Sequence, residues 1–251
     1  MPTLPDLSVQ LYSVREPLSR DFNGTLGRLA GIGLTQVEPF ALLDNAKHLK
    51  SGLAANNLTA PTAHQALDNG HLEEIFHIAA ELGIGTVIHP FTPADRWRTP
   101  SDVQRIADIL SQAAAVATAH EVRVAYHNHD WELSTTIAGR PVLEVLTDVI
   151  DPTILLELDT YWAGTAGQDI PALLNRLGDR VIALHLKDGP LNGNVSEQLP
   201  LGQGDLPVNE IISAATALEV PVLEFDYYEG DIFEGIAASY AYATGTLGAQ
   251  R

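Results

Sequence analysis

The chain has 251 residues, no cysteine and a formal net charge of −18 from 32 acidic and 14 basic side chains. That length suits one large domain or two small ones, and the missing cysteines exclude disulfides, thiolate metal sites and cysteine catalysis. The acidity argues against a nucleic-acid partner or an anionic membrane surface, because both need clustered Lys and Arg.

The opening Met1-Pro2-Thr3-Leu4-Pro5-Asp6 has no basic stretch followed by an apolar one, so no secretory signal is expected. No apolar run approaches the length of a membrane span. The expectation is a soluble cytoplasmic protein that handles small neutral molecules.

Strands are expected near Ser8–Tyr12, Gln36–Pro39, Ala60–His64, Thr86–His89, Arg123–Asn128, Ile154–Asp159, Val181–Lys187 and Val220–Phe225. Between and after them the apolar spacing turns helical, near Asp21–Ile32, Asn45–Asn56, Leu72–Leu82, Ser101–His120, Val142–Ile150, Asp169–Arg176, Val208–Leu218 and Ile232–Thr244. Gly33 and Gly83 mark helix stops, and Ser101 and Asp169 read as N-caps. The strands are mostly continuous apolar runs, as expected of parallel strands covered on both faces. Repeated βα units with no Pro/Gly/Ser-rich linker predict one α/β domain over 1–251, a single (β/α)8 TIM barrel. A doubly wound open sheet is the alternative, weakened because no G-x-G-x-x-G follows the first strand. The polar stretch Asp188–Asp205 is long enough to cover the barrel mouth.

Polar groups gather at the strand ends. Gln10 and Tyr12 end the first strand, Glu38 the second, His64 the third and His89 the fourth. His127, Asn128 and His129 follow, with Trp131 and Glu132 just beyond, then Asp159, His185 with Lys187, and Glu224. All C-terminal strand ends of a barrel face one mouth, where active sites are built. Asp159, His185 and Glu224 together would repel or stay unpaired without a cation, and O/N ligation suits one divalent ion, Mn²⁺, Mg²⁺, Zn²⁺ or Co²⁺. Glu157 shares a strand face with Asp159 and is expected deeper in the barrel or capping a layer. A lone histidine such as His64 or His89 is more often a hydrogen-bonded packing residue than a ligand.

Tyr126-His127-Asn128-His129-Asp130-Trp131-Glu132, Glu157-Leu158-Asp159-Thr160-Tyr161-Trp162, His185-Leu186-Lys187-Asp188 and Leu201-Gly202-Gln203-Gly204-Asp205 carry a resemblance. With Val9-Gln10-Leu11-Tyr12-Ser13 at the start and Val222-Leu223-Glu224 at the end, it runs over nearly the whole chain. The chain resembles the xylose isomerase-like TIM barrels, the sugar phosphate isomerase/epimerase superfamily that also holds endonuclease IV-type repair nucleases. The resemblance implies a divalent site of Glu, Asp, His and Glu. Asp159, His185 and Glu224 match its last three members. Most relatives read Glu-Asn where this chain has His127-Asn128, so the first ligand is either His127 or Glu132. Tyr161-Trp162 stand where relatives carry a substrate-binding His.

The resemblance further implies proton transfer next to a carbonyl, through an enediolate. Glu224 would act on one face and His127 or Glu132 on the other, with Lys187 polarising the oxygen or pairing at the rim. Gln10, Tyr12, Glu38, His64, His89, His129, Tyr161 and Trp162 are the expected substrate-binding residues. Gly202-Gln203-Gly204-Asp205 precedes a helix that Asp205 could cap, but without Arg or Lys nearby an unphosphorylated sugar, keto-sugar or cyclitol is the expected partner. A lyase or dehydratase, including a 3-keto-glycoside-cleaving enzyme, is an alternative on the same barrel, and a non-catalytic sugar-binding barrel is another. A repair nuclease would need a larger ligand cluster and a basic face. A homo-oligomer is left open.

Overall fold

The computed structural model describes residues 4–247. The outermost residues of the 1–251 span, including Met1-Pro2-Thr3, lie outside them. Seven parallel strands form one sheet, in the spatial order Ser8–Val9, Val220–Leu223, Val181–Leu186, Leu155–Asp159, Arg123–His127, Thr86–His89, Thr62–His64. Residues 36–40 close the ring. Gln10 bridges to Glu38 on one side, while Gln36 and Phe40 bridge to Thr59 and His64 on the other. The Glu38 N–H donates to the Val9 carbonyl at 2.8 Å, and the Val37 N–H donates to the Thr59 carbonyl at 2.9 Å. Pro39 has no N–H to give, which interrupts the ladder there. Seven of the eight expected strands are present, the first shortened to Ser8–Val9 because Leu11–Val14 turns into a 3-10 helix, while Gln36–Pro39 pairs only through isolated bridges; the fold is the α/β TIM barrel.

The long helices return the chain along the outside. Asp21 caps Phe22–Ile32, and Gly33 ends it at φ 114°. Asp169 caps Ile170–Leu177, as expected. The helix expected at Ser101 starts earlier, as Pro100–Ala117. Its N-cap is Thr99, because Asp102 three residues on completes a capping box and Pro100 suits the first turn. Asp205 is likewise not a cap. Val208–Ala214 starts after Pro207 with no side-chain cap, and the Asp205 N–H donates to the Gly189 carbonyl. The short helices Trp131–Ser134 and Thr160–Thr165 and the small hairpin Thr136–Ile137/Arg140–Pro141 follow barrel strands and were not expected from periodicity. Among the described residues no helix is long and apolar enough to cross a membrane.

Two apolar clusters separate the inside of the barrel from its outside. The large one packs helices on the strands. The small one, Ile182, Ala183, Val220 and Val222 with Leu155, plugs the barrel below its mouth. Register decides what sits above that plug. Pairing puts His127 beside Glu157, Asp159 beside His185, and Gln10 beside Glu38. Between Leu156 and Glu157 the pairing shifts, so that Val181 faces Leu156 but Ala183 faces Glu157. A one-residue slip exchanges the two faces of a strand. This bulge aims His185 and Lys187, rather than Leu184 and Leu186, into the barrel.

Candidate metal centre

Three neighbouring strands carry ionisable residues at alternate positions: Glu157 and Asp159, His185 and Lys187, Glu224 and Asp226. Period two puts each pair on one face, here the interior. The ligand atoms of Asp159, His185 and Glu224 lie within 4.8 Å of one another, as do those of His64, His127, Glu157 and His185. His185 belongs to both groups and is fully buried.

The lower group is anchored on one oxygen. Glu157 Oε2 lies 2.6 Å from His64 Nε2, 3.0 Å from His127 Nδ1 and 3.1 Å from His185 Nε2. Glu38 Oε1 meets His185 Nε2 at 2.7 Å and accepts from Gln10 Nε2 at 2.8 Å, while Thr62 donates to its other oxygen. A ring nitrogen that donates to a carboxylate fixes the tautomer and leaves the opposite nitrogen free to ligate. For two of these rings the opposite nitrogen points to the upper group. His127 Nε2 is 3.8 Å from Asp159 Oδ2, and His185 Nδ1 is 2.6 Å from Glu224 Oε2 and 4.0 Å from Asp159 Oδ2.

Burial and charge act against each other here. Burial, with the cationic His185 nearby, lowers the His127 pKa to about 3, so its imidazole is neutral at physiological pH. Burial also pulls on His185, but Glu157 and Glu224 outweigh it and hold the imidazole well above its usual value. Burial raises Asp159 to about 6 against the pull of Lys187. Glu224 and Glu157 are both held well below the ordinary carboxylate range, because Lys187 and His185 for the first, and His185 and His64 for the second, overcome their burial.

Asp159 is fixed by one oxygen and exposed to the site by the other. Oδ1 accepts the Trp162 N–H as N-cap of the Thr160–Thr165 helix. Oδ2 is buried and makes no hydrogen bond, although Lys187 Nζ approaches to 2.8 Å off the hydrogen-bonding direction. A carboxylate oxygen facing two imidazole nitrogens and a second carboxylate, with only the Lys187 ammonium against it, fits a divalent ion. This buried imidazole–carboxylate cluster is of the kind that holds a divalent metal.

Above it opens a cavity of about 510 Å³. His64, His127, Lys187, Glu224 and Asp226 form its polar floor, and Tyr12, Phe40, Pro90 and Phe91 its apolar wall. Tyr12 and Phe91 are exposed yet held: Tyr12 edge-on to Phe40 and under the Arg15 guanidinium, Phe91 edge-on to His129 and Trp131. His129 stacks flat on Trp131, with ring centroids 4.4 Å apart. Trp162 is half-buried, 5.7 Å from Lys187 Nζ.

Five residues expected to bind substrate do not line this cavity, the half-buried Trp162 among them. His89 has the opposite strand parity to His64 and points outward; its Nδ1 accepts the Leu67 N–H at 3.0 Å, and burial lowers its pKa to about 4. Tyr161 is buried, its hydroxyl donating to the Pro190 carbonyl. Gln10 and Glu38 lie beneath the imidazoles rather than in the cavity wall. Glu132 stands outside the barrel wall, where its oxygens accept from the outward-facing Tyr126 hydroxyl at 2.6 Å and the His129 N–H at 2.8 Å. It belongs to neither ligand group.

Glu132 has a pH signature of its own. Burial raises its pKa from 4.5 to about 7, against the lowering effect of Tyr126. The folded protein then holds a proton that the unfolded chain releases above pH 4.5. Stability therefore falls as pH rises from about 4.5 to 7, by up to about 3 kcal/mol. Glu132→Gln mimics the protonated side chain, so urea denaturation across that window should show the decline in the parent and a flatter profile in the variant. Equal slopes would remove Glu132 as the cause.

Asp226, Gln65, Phe40 and Phe91 also line the cavity and were not singled out from the sequence. Asp226 could have been found, since it follows Glu224 by two and so shares its face. The mouth loop holds Asp226 in place: Gln198 Nε2 donates to its Oδ2, and its N–H donates to Gln198 Oε1, each at 2.8 Å. Asp188 folds that loop by accepting the N–H groups of Gly189, Gly202 and Leu206. Gly204 packs so tightly on Gly189 that any Cβ would collide with its backbone. The Gly202-Gln203-Gly204 run thus has a packing reason.

The fold and the cluster define an α/β barrel with a buried imidazole–carboxylate cluster, typical of a divalent metal site, at its mouth. The model of the xylose isomerase-like TIM barrel family matches residues 28–226, and the chain belongs to that family. No curated protein matches it in sequence. A sugar phosphate isomerase/epimerase from Parabacteroides distasonis is 22% identical, with a TM-score of 0.79 over 95% of this chain and 93% of that one. The IOLI protein with a binding zinc atom is 14% identical, with a TM-score of 0.75 over 97% and 98% of the two chains. The 3-keto-D-glucoside 4-epimerase YcjR from E. coli is 16% identical, with a TM-score of 0.73 over 95% and 99%.

Proposed function

We propose that this barrel is a divalent-metal-dependent isomerase or epimerase that moves a proton next to the carbonyl of an unphosphorylated sugar, keto-sugar or cyclitol. One observation carries the reading: ligand atoms of Asp159, His185 and Glu224 lie within 4.8 Å of one another beneath a cavity floor that His127 and Glu224 help to form, His127 Nε2 is 3.8 Å from Asp159 Oδ2, and Glu157 holds both imidazoles from below. These four residues would hold the ion. His127 takes the first place because its free nitrogen faces Asp159, whereas both oxygens of Glu132 are engaged behind the barrel wall. When bound, the ion supplies Lewis-acid polarisation of a carbonyl and of the enediolate it becomes.

The protein's own groups do the rest. Glu224 reaches the cavity with its pKa held low, so it is ionised and able to take a proton. Lys187 lines the same floor and places positive charge beside the developing oxyanion. His129, neutral because burial takes its pKa to about 2, walls the cavity with Trp131 behind it. Phe91 and Tyr12 offer ring faces to the apolar side of a sugar.

The cavity also favours a second reading. At about 510 Å³ it has room for more than a monosaccharide of about a dozen non-hydrogen atoms. A substrate carrying a β-substituent would then lose it from the same enediolate, as in a lyase or 3-keto-glycoside-cleaving enzyme.

The metal requirement is tested by elemental analysis of protein purified without chelator, beside Asp159→Ala. The parent is expected to carry one equivalent of a divalent ion per chain and the variant none. No ion in the parent, even after Mn²⁺ or Mg²⁺ is supplied, would overturn the reading.

A further inference from the structure

We infer that the Lys187 ammonium competes with a divalent ion for the carboxylates of Asp159 and Glu224, and must withdraw onto Asp226 before the ion can bind. The inference rests on the metal reading above and adds what sets the affinity of that site.

Lys187 is 2% exposed, and its Nζ lies 2.8 Å from Asp159 Oδ2, 2.6 Å from Glu224 Oε2 and 2.9 Å from Asp226 Oδ2. Two of those oxygens are the ones turned towards His127 and His185. An ammonium at such distances leaves no room for a divalent ion on the same pair of oxygens. The three contacts are not equivalent. Only the one to Asp226 has hydrogen-bond geometry. Those to Asp159 and Glu224 are charge contacts without directed bonds, as a non-directional cation would make.

The structure also provides a place to withdraw to. Asp226 is the one partner of the three at the open side, with 25% of its side chain exposed. Gln198 fixes it from the mouth loop. The Trp162 ring lies 5.7 Å from Nζ. A lysine carries its charge on a flexible stem with three rotatable donors, so it can keep the Asp226 bond while giving up the other two. While the ammonium sits on them the buried carboxylates are compensated; with a divalent ion in its place the ammonium would rest on Asp226 alone. Lys187 and the ion thus compete for one charge site, and each opposes binding of the other.

The test is metal affinity, read by competition of Mn²⁺ or Zn²⁺ against a chromophoric chelator, together with the melting temperature with and without metal. Lys187→Met should bind the ion about tenfold more tightly or better. It should also melt lower than the parent without metal and gain more on loading. Asp226→Asn removes the place of withdrawal and should weaken binding in the parent background, but far less in the Lys187→Met background. Lys187→Gln serves where the Met variant does not fold. A purely structural lysine would do the reverse, because its loss would distort the site and weaken binding. Equal or weaker affinity in both lysine variants, with the parent still binding metal, overturns this inference alone. Absence of binding in the parent overturns the metal reading with it.

Discussion

Glu224→Gln is expected to leave a folded barrel that has lost about a thousandfold in proton transfer at the substrate carbon. The side chain keeps its size and its hydrogen-bonding reach but cannot take up a proton. Glu224 is 6% exposed, faces the cavity and lies 2.6 Å from both His185 Nδ1 and Lys187 Nζ. Those two cations keep it ionised against its burial. The check is the rate at which deuterium enters a keto-sugar from D₂O with saturating metal. Glu132→Gln is the control, because Glu132 lies behind the wall and should change that rate less than tenfold. If the Glu132 variant were the inactive one and the Glu224 variant near normal, the base would be assigned to the wrong face.

Glu157→Ala is expected to be the most destabilising single change in the site, by about 3–5 kcal/mol. Its Oε2 is the shared partner of three buried imidazoles, and removing it strands the cationic His185 and leaves His64 and His127 without that acceptor in the barrel interior. Glu157→Gln keeps the packing and isolates the charge. Metal affinity should then fall about 10–100-fold, because His127 Nδ1 and His185 Nε2 lose the carboxylate that orients the two rings towards the upper group. The linkage sign follows from the lowered pKa of Glu157. Its contribution is present above its unfolded value near 4.5 and is lost as pH falls further below that. Denaturation midpoints and chelator competition for both variants check this. A Glu157→Ala barrel as stable as its parent would mean that the imidazoles do not depend on the shared carboxylate.

The barrel was legible because strand and helix periodicities alternate along the whole chain and each strand ends in a polar group. Asp159, His185, Glu224, Lys187, His64 and His127 could be placed at one mouth from that pattern, and the structure brings them together. What was not legible depends on parity and register. His89 looks like His64 in sequence, each ending a short apolar run, but the two point to opposite faces. Glu132 looked reachable because only four residues separate it from His127. Its carboxylate instead follows the outward-facing Tyr126. The shift at Leu156/Glu157, which turns His185 inward, leaves no mark in composition. Thr99 was missed as a cap for a local reason: Ser101 fits the same template, and only the Pro100 and Asp102 spacing separates them.

The most direct measurement is deuterium incorporation, followed by NMR, for free keto-hexoses and 3-keto-glucosides incubated in D₂O with stripped and metal-reloaded protein. The account predicts exchange at a carbon next to the carbonyl only after reloading, with an epimer accumulating or, for a substituted sugar, a released group. Turnover of such a sugar without exchange, or exchange as fast in the stripped protein as in the reloaded one, would contradict it.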